Sequence, residues 1–323
     1  MTIALKTGAD DDGRRLDRIL RKALPDHSLS LIHRLLRQGK ALVNGKNAGP
    51  GERIPAGTVI QIVLQNEPRH APRHCTPVPD RDSPSISPKS PPPEVPEILW
   101  RGNGVIVFNK PPGLASHGKD SLDTIVKTWL SGKLPPSLSF RPGPLHRLDK
   151  PTSGAIAFSE NLDGARLFSR LLRERAIKKT YLAIVEGRIS KDETWQDGLV
   201  RDTSAKKTLV TDGAGAKNAV TAVKPLAGNG SYTLIEAHLV TGRTHQIRSH
   251  AAAHGHPLAG DSKYGGHGFP GGFFLHAWKM EFTGQPAGFP HTIIAPLPES
   301  FLSRINILFG GNVNYKITRS MCR

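Results

Sequence analysis

The sequence predicts an α+β protein: a small, basic N-terminal α/β domain, then a larger catalytic domain on a mixed, mostly antiparallel sheet. Three observations predict it. Residues 65–97 hold ten prolines and almost no large apolar side chain, so they cannot bury enough surface to offset their ordering entropy; they divide the chain into two folded parts. Ahead of them, two short amphipathic helical patterns lead into an Asn-Gly turn between apolar runs. Behind them, strand-length apolar runs outnumber helical patterns and the two do not alternate, which argues against a parallel βαβ sheet.

Charge narrows the class of partner. The 323 residues carry 44 Lys and Arg against 27 Asp and Glu, a net charge of +17. A chain this basic is expected to meet a polyanion, because clustered cations release counterions from a phosphate backbone. Two cysteines, Cys75 and Cys322, lie far apart and outside any CxxC, so neither a disulfide framework nor a cysteine zinc site is expected. The start, "MTIALKTGADDDGRR", has no long apolar core and carries three consecutive aspartates, unlike a signal or transit peptide. No apolar run approaches the ~18 residues of a membrane span. Together these point to the cytoplasm and to no membrane partner.

The small domain is expected over 13–64. "RRLDRILRKAL" puts Leu16, Ile19, Leu20 and Leu24 at helical spacing, and Pro25 ends that helix. "SLSLIHRLLRQG" begins a second helix, with Ser28 or Ser30 as N-cap, an apolar face of Leu31, Ile32, Leu35 and Leu36, and Gly39 as the stop. "ALVNGK" reads as a strand into an Asn-Gly turn and "TVIQIVL" as another strand. Ten Lys or Arg against three Asp or Glu give this stretch a net +7. The pattern "RLDRIL…SLIHRLLRQGKALVNGK" resembles the S-four RNA-binding domain. Arg14, Arg18, Arg34, Arg37, Lys40 and Lys46 are its expected RNA contacts.

The large domain is expected over 98–309, with a basic tail over 310–323. "GVIVFNK", "GAIAFS", "KKTYLAIVEG" and "FFLHAWKMEF" read as strands, "TAVKPLAGNGSYTLIEAHLV" as a hairpin, and "ARLFSRLLRERA" and "TGRTHQIRSHAAAHG" as helical. Several chemistries can be set aside. There is no GxxxxGK[ST] phosphate loop, Gly102-Asn103-Gly104 is too short for a dinucleotide fingerprint, and Ser153 lies in no GxSxG elbow. His245, His250, His254 and His256 cluster, yet with neither the HExxH glutamate nor a cysteine they are read as polar lining and packing, with no metal expected.

What remains centres on "PLHRLDKPTSG", a turn holding Asp149 beside Arg147. A carboxylate among arginines stays ionised, and in a dry pocket it is a nucleophile or base. Taken alone, the segment reads more readily as a turn aspartate capping Thr152 or Ser153. Tyr181 in "KKTYLA", Arg243 in "TGRTHQIR" and Asp261 in "GDSKYGG" are the other chemistry-bearing groups.

"NKPPGLASH", "HRLDKPTSG", "KTYLAIVEG" and "TGRTHQIRSHAAAHGHPLAGDSKYG", in that order, resemble the RluA-type pseudouridine synthases over about residues 98–300. The resemblance implies the pseudouridine synthase fold and the isomerisation of specific uridines in RNA to pseudouridine, with neither cofactor nor metal. It implies Asp149 as the catalytic carboxylate, Arg243 as the arginine paired with it, and Tyr181 as the residue that stacks on the base and is a candidate for removing the carbon 5 proton. Arg147 falls where the family inserts an arginine into the RNA stack. His146, His245 and Arg248, in the same motifs, are expected to bind substrate. Large-subunit ribosomal RNA is the expected substrate and a monomer the expected state. The alternative class is a non-catalytic RNA-binding assembly factor, which could have lost Asp149, Tyr181 or Arg243; all three are present.

Overall fold

The computed structural model describes residues 2–64, 94–269, 271–284, 286, 288–311 and 313. Most of the expected linker, the end of the tail and both cysteines lie outside them. The chain divides into two compact units, residues 1–95 with 129–141, and residues 96–128 with 142–323.

The first unit holds α1 (Leu16–Ala23), α2 (Leu29–Arg37) and a four-stranded sheet of order β1-β6-β3-β4. Its strands are β1 (Thr2–Lys6), β3 (Ala41–Val43), β4 (Lys46–Asn47) and β6 (Val59–Val63); β2 (Arg14–Arg15) pairs separately with β5 (Arg53–Ile54). Ser28 caps α2, its hydroxyl accepting from Leu31 N at 3.2 Å. Asn44 and Gly45 both take positive φ, the geometry a two-residue hairpin turn requires. The apolar faces read from sequence meet here, with Leu16, Ile19, Leu20, Ile32, Leu35 and Leu36 packing on Ile60 and Ile62. The unit exceeds the expected 13–64. β1 pairs along β6 from Thr2–Val63 to Lys6–Val59, and the segment 129–141 adds Leu138 to the same core. Asp11, in the run of three aspartates, is buried and accepts from the backbone N–H groups of Leu138 and Ser139, both at 2.9 Å.

The second unit is one large sheet, of order β13-β12-β14-β15-β11-β16-β10-β8-β7. The strands are β7 (Ile98–Gly102), β8 (Val105–Lys110), β9 (Gly143–Pro144), β10 (Ser153–Ser159), β11 (Ile177–Glu186), β12 (Glu193–Asp202), β13 (Lys207–Val210), β14 (Lys217–Gly228), β15 (Tyr232–Leu239), β16 (Leu275–Phe282) and β17 (Thr292–Ile294). β9 joins at β10 and β17 at β16. Every pairing in this sheet is antiparallel except β10 with β16, as the fold class required. Helices α3 (Leu122–Leu130), α4 (Leu162–Arg173), α5 (Gln246–Ala253) and α6 (Glu299–Phe309) complete the described α-helices. Two apolar clusters pack on the sheet: Val105, Val107, Phe168, Met280 and Phe282 in one, and Leu182, Ile184, Leu234, Trp278 and Phe301 in the other. Central β11 carries Tyr181, and the loop from β9 into β10 carries Asp149.

Candidate active site

The Asp149 loop is fastened from below. Lys110, at the end of β8, is fully buried, and its ammonium donates to the carbonyls of Pro111 (2.9 Å), Leu114 (2.7 Å) and Lys150 (3.2 Å). Burial pulls this lysine down to about 8, the charge of Asp149 opposing. Ser116 clamps the next turn: its hydroxyl donates to Leu148 O (2.7 Å) and accepts from Leu148 N (3.0 Å). Thr152 N closes the turn on Asp149 O at 3.1 Å. The Asp149 carboxylate itself caps neither Thr152 nor Ser153. It reaches across to α5, where Arg248 Nη1 donates to Oδ2 at 2.9 Å.

This corrects one expectation. The guanidinium paired with Asp149 is Arg248, not Arg243. The reason is the entry to α5. His245 takes a left-handed φ of 54° just before Gln246, and Gln246 Oε1 accepts from Arg243 N at 3.0 Å. Arg243 therefore precedes the helix, with Nε and Nη2 directed at Asn218 O (3.4 and 3.5 Å). It still lines the pocket. Arg248, in the first turn of α5, projects to the carboxylate.

Arg248 is shared. Its other edge forms a bidentate pair with Asp261, Nε to Oδ2 at 2.7 Å and Nη2 to Oδ1 at 2.8 Å. Its guanidinium also lies over the rings of Tyr264 (4.9 Å) and Phe273 (4.5 Å). Burial would lower the Arg248 pKa, but the hydrogen bonds and charges of the two aspartates outweigh that and leave it raised. Asp261 is 1 % exposed and both its oxygens are occupied, so the pocket offers substrate one carboxylate, Asp149.

His245 supplies a second contact, its Nε2 lying 3.5 Å from Asp149 Oδ1. Tyr264 sets the tautomer. Its hydroxyl accepts from Thr208 N (2.8 Å) and lies 2.8 Å from His245 Nδ1, which the guanidinium of Arg201, a donor only, also approaches at 3.5 Å; this pattern assigns Nδ1 as the acceptor and the N–H to Nε2, toward the carboxylate. Burial pushes this histidine down to about 4, with Arg248, Arg201 and Lys263 adding to the effect and Asp149 opposing it.

A pocket of about 60 Å³ opens above these groups, lined by Arg147, Asp149, Thr152, Tyr181, Arg243 and Arg248 among others. Leu148 and Ile247 line it as apolar walls, while Leu145 packs into the core. Burial and the charge of Asp149 push the Tyr181 phenol well up, so it faces the pocket as a neutral ring. Arg147 is exposed. His146 is not brought into this pocket: its Nε2 accepts from Ala157 N at 3.1 Å and its ring lies parallel to Phe168. In the first unit, Arg18, Arg37 and Lys46 are exposed, while Arg14 is engaged with Ser139 Oγ at 3.1 Å. Lys110, Tyr264 and Asp261 are the functional positions that sequence reasoning left without a role. Asp261 stood out in "GDSKYGG" without a role, and Lys110 carried a local signal as the lysine that closes "GVIVFNK".

One carboxylate on a turn, clamped by an arginine beside a neutral tyrosine, with no second open acid in the pocket, is the arrangement the site presents. The comparisons agree. The RNA pseudouridylate synthase family model matches residues 104–253, and the S4 domain model matches 14–60. The chain is 32% identical over 313 residues to ribosomal large subunit pseudouridine synthase D of Neisseria meningitidis serogroup A, covering 92% of this chain and 79% of that one. It is 32% identical over 305 residues to ribosomal large subunit pseudouridine synthase C of Escherichia coli K12, covering 90% and 92%. The structure of human RNA pseudouridylate synthase domain containing 4 superposes with a TM-score of 0.53 at 23% identity, covering 65% of this chain and 91% of that one. The chain belongs to the RluA family of RNA pseudouridine synthases and carries an N-terminal S4 domain. It is an RNA-modifying isomerase.

Proposed function

We propose that the chain isomerises uridines of large-subunit ribosomal RNA in the cytoplasm, with Asp149 as the reacting carboxylate. The bond between N1 of uracil and carbon 1′ of the ribose breaks and the base turns in place. Carbon 5 then bonds to carbon 1′, and the carbon 5 proton is lost as N1 gains one. The observation that carries this reading is the single open carboxylate of Asp149, held by Arg248 and faced by the Nε2–H of His245. Glycoside hydrolysis ordinarily uses two carboxylates; here the second, Asp261, is closed off behind Arg248. Attack at carbon 1′ and removal of a ribose proton both need that ionised group. Tyr181 offers its ring as the stacking wall, and Arg147, exposed at the rim, fills the stack that a flipped uridine leaves. Flipping costs a few kcal/mol, which guanidinium stacking and phosphate binding offset in part. The S4 unit raises the local concentration of RNA at the pocket through the chain that joins them.

The test is pseudouridine mapping of ribosomal RNA, by chemical adduct and primer stop, in cells with and without the gene. Sites lost on deletion and restored by wild type, but not by Asp149→Asn, bear the proposal out. Restoration by Asp149→Asn removes Asp149 from the reaction. Lost sites confined to another RNA class reject the ribosomal substrate.

A further inference from the structure

Next to the catalytic pocket lies a second, larger cavity of about 740 Å³, bounded by the end of α4, the start of β11 and the turn after β15. The two are contiguous at Leu239, which lines both. Lys179 and Tyr181 alternate onto one face of β11, so the strand that offers Tyr181 to the first cavity offers Lys179 to the second. Leu172, Ile177, Leu239 and Val240 give it apolar walls. Its charged lining is Arg175, Lys178 and Lys179 against the single carboxylate of Glu281. Two imidazole rings also line it: His146, whose Nε2 accepts from Ala157 N (3.1 Å), and His238, committed to Glu236 (2.8 Å) and Thr180 (2.9 Å).

Lys179 is the anomaly. Its ammonium has neither a hydrogen bond nor a carboxylate partner among the described residues, yet burial lowers its pKa. It lies against the turn at Gly242, 3.6 Å from where a Cβ there would sit. A desolvated, unpaired ammonium is costly unless something anionic completes it.

We propose that this cavity binds the nucleotide next to the target uridine, its base against the apolar walls and its phosphodiester on Lys179. The inference rests on the proposed reaction for its substrate and adds to it a specificity subsite. The anion then belongs to the strand that enters the neighbouring pocket, since the two cavities adjoin at Leu239. A cavity of this size with an apolar wall fits a nucleotide better than a lone phosphate.

The experiment uses the full-length protein with an unmodified large-subunit ribosomal RNA transcript carrying tritium on uracil carbon 5. Tritium release gives kcat and KM; filter binding across a salt series gives affinity. Lys179→Gln is expected to raise KM roughly tenfold or more with kcat little changed, since a charge-assisted contact is lost in binding. It also reduces the salt slope of binding by about 0.7, one phosphate contact on single-stranded RNA. Lys179→Arg restores both. Unchanged KM and slope in Lys179→Gln, at unchanged thermal stability, overturns the subsite. So does a kcat loss that Lys179→Arg does not repair, which is the mark of a structural lysine. Absence of tritium release from wild type would instead reject the ribosomal substrate, while the salt series still reports the Lys179 contact.

Discussion

Arg248 joins Asp149 to Asp261. One guanidinium gives Nη1 to the first carboxylate at 2.9 Å and its Nε–Nη2 edge to the second. Asp261 thereby fixes the arginine that orients Asp149, and a buried carboxylate 112 positions further along the chain acts at the pocket without touching substrate.

Breaking that chain should cost more than loosening its neighbour. Arg248→Met leaves two aspartates without their cation, a loss of about 3–5 kcal/mol in stability for a buried pair. Arg248→Lys keeps the charge but not the fork, and pseudouridine formation should fall by roughly a hundredfold. Arg243→Lys should be milder in kcat, because Arg243 only lines the pocket. Single-turnover assays of the two lysine variants check the ranking; a larger chemical-step defect in Arg243→Lys would contradict the pairing described above.

Tyr264→Phe removes the hydroxyl that sets the His245 tautomer. Thr208 N–H loses its partner and His245 Nδ1 keeps only the long contact from Arg201 Nη1 (3.5 Å), a cost of about 1–3 kcal/mol in unfolding free energy. His245 can then turn a lone pair toward Asp149, and kcat should drop about tenfold with KM unchanged, a barrier increase near 1.4 kcal/mol. A steady-state comparison on one transcript decides it; a change confined to KM would place Tyr264 in binding.

Lys110→Met tests the floor of the site. Three carbonyls, those of Pro111, Leu114 and Lys150, lose a charged donor. A stability loss of about 2 kcal/mol or more is expected, with kcat falling through the displaced Asp149 loop. Urea unfolding and turnover measured together separate this from a surface effect. Full activity in a stable Lys110→Met would show that the loop holds without it.

Acid should unfold the protein well above the usual carboxylate range. Burial depresses His146 to about 3 and His245, His250 and His276 to about 4. Their folded pKa values lie below the ordinary 6.5, so between pH 6.5 and 4 the unfolded chain binds more protons and stability falls as pH falls. Each contributes roughly 1–2 kcal/mol of loss by pH 5. Thermal unfolding at pH 7.5 and 5.0 measures it, and His276→Asn should flatten the dependence. Equal melting temperatures at the two values would contradict the buried neutral state.

Where the chain's own pattern reports on its surroundings, sequence and structure coincide. The 3.6 period of Leu16, Ile19 and Leu20, the Asn44-Gly45 turn and the strand runs at 105–110 and 177–186 each answer to local sterics and to which face must be buried, and residue order encodes both. The turn around Asp149 was legible for the same reason: Pro151 and Gly154 forbid a helix there, and the four ordered motifs marked the family. β1 was missed because "TIALK" alternates over only five residues and finds its partner, β6, more than fifty residues away.

Tertiary structure alone decided the partners. Two arginines five residues apart, Arg243 and Arg248, are indistinguishable in a motif. The left-handed residue His245 and the start of α5 send one to Asn218 and the other to Asp149. The aspartate run at 10–12 looks like a solvated terminus, yet Asp11 is buried because backbone N–H groups at 138 and 139 arrive to pair with it. Lys110, Asp261 and Tyr264 likewise acquire their roles only when β8, the Asp149 loop and α5 converge. Sequence determines which surfaces must be hidden, by local periodicity. Which charge meets which is a long-range pairing, chosen by desolvation and geometry once the sheet has formed.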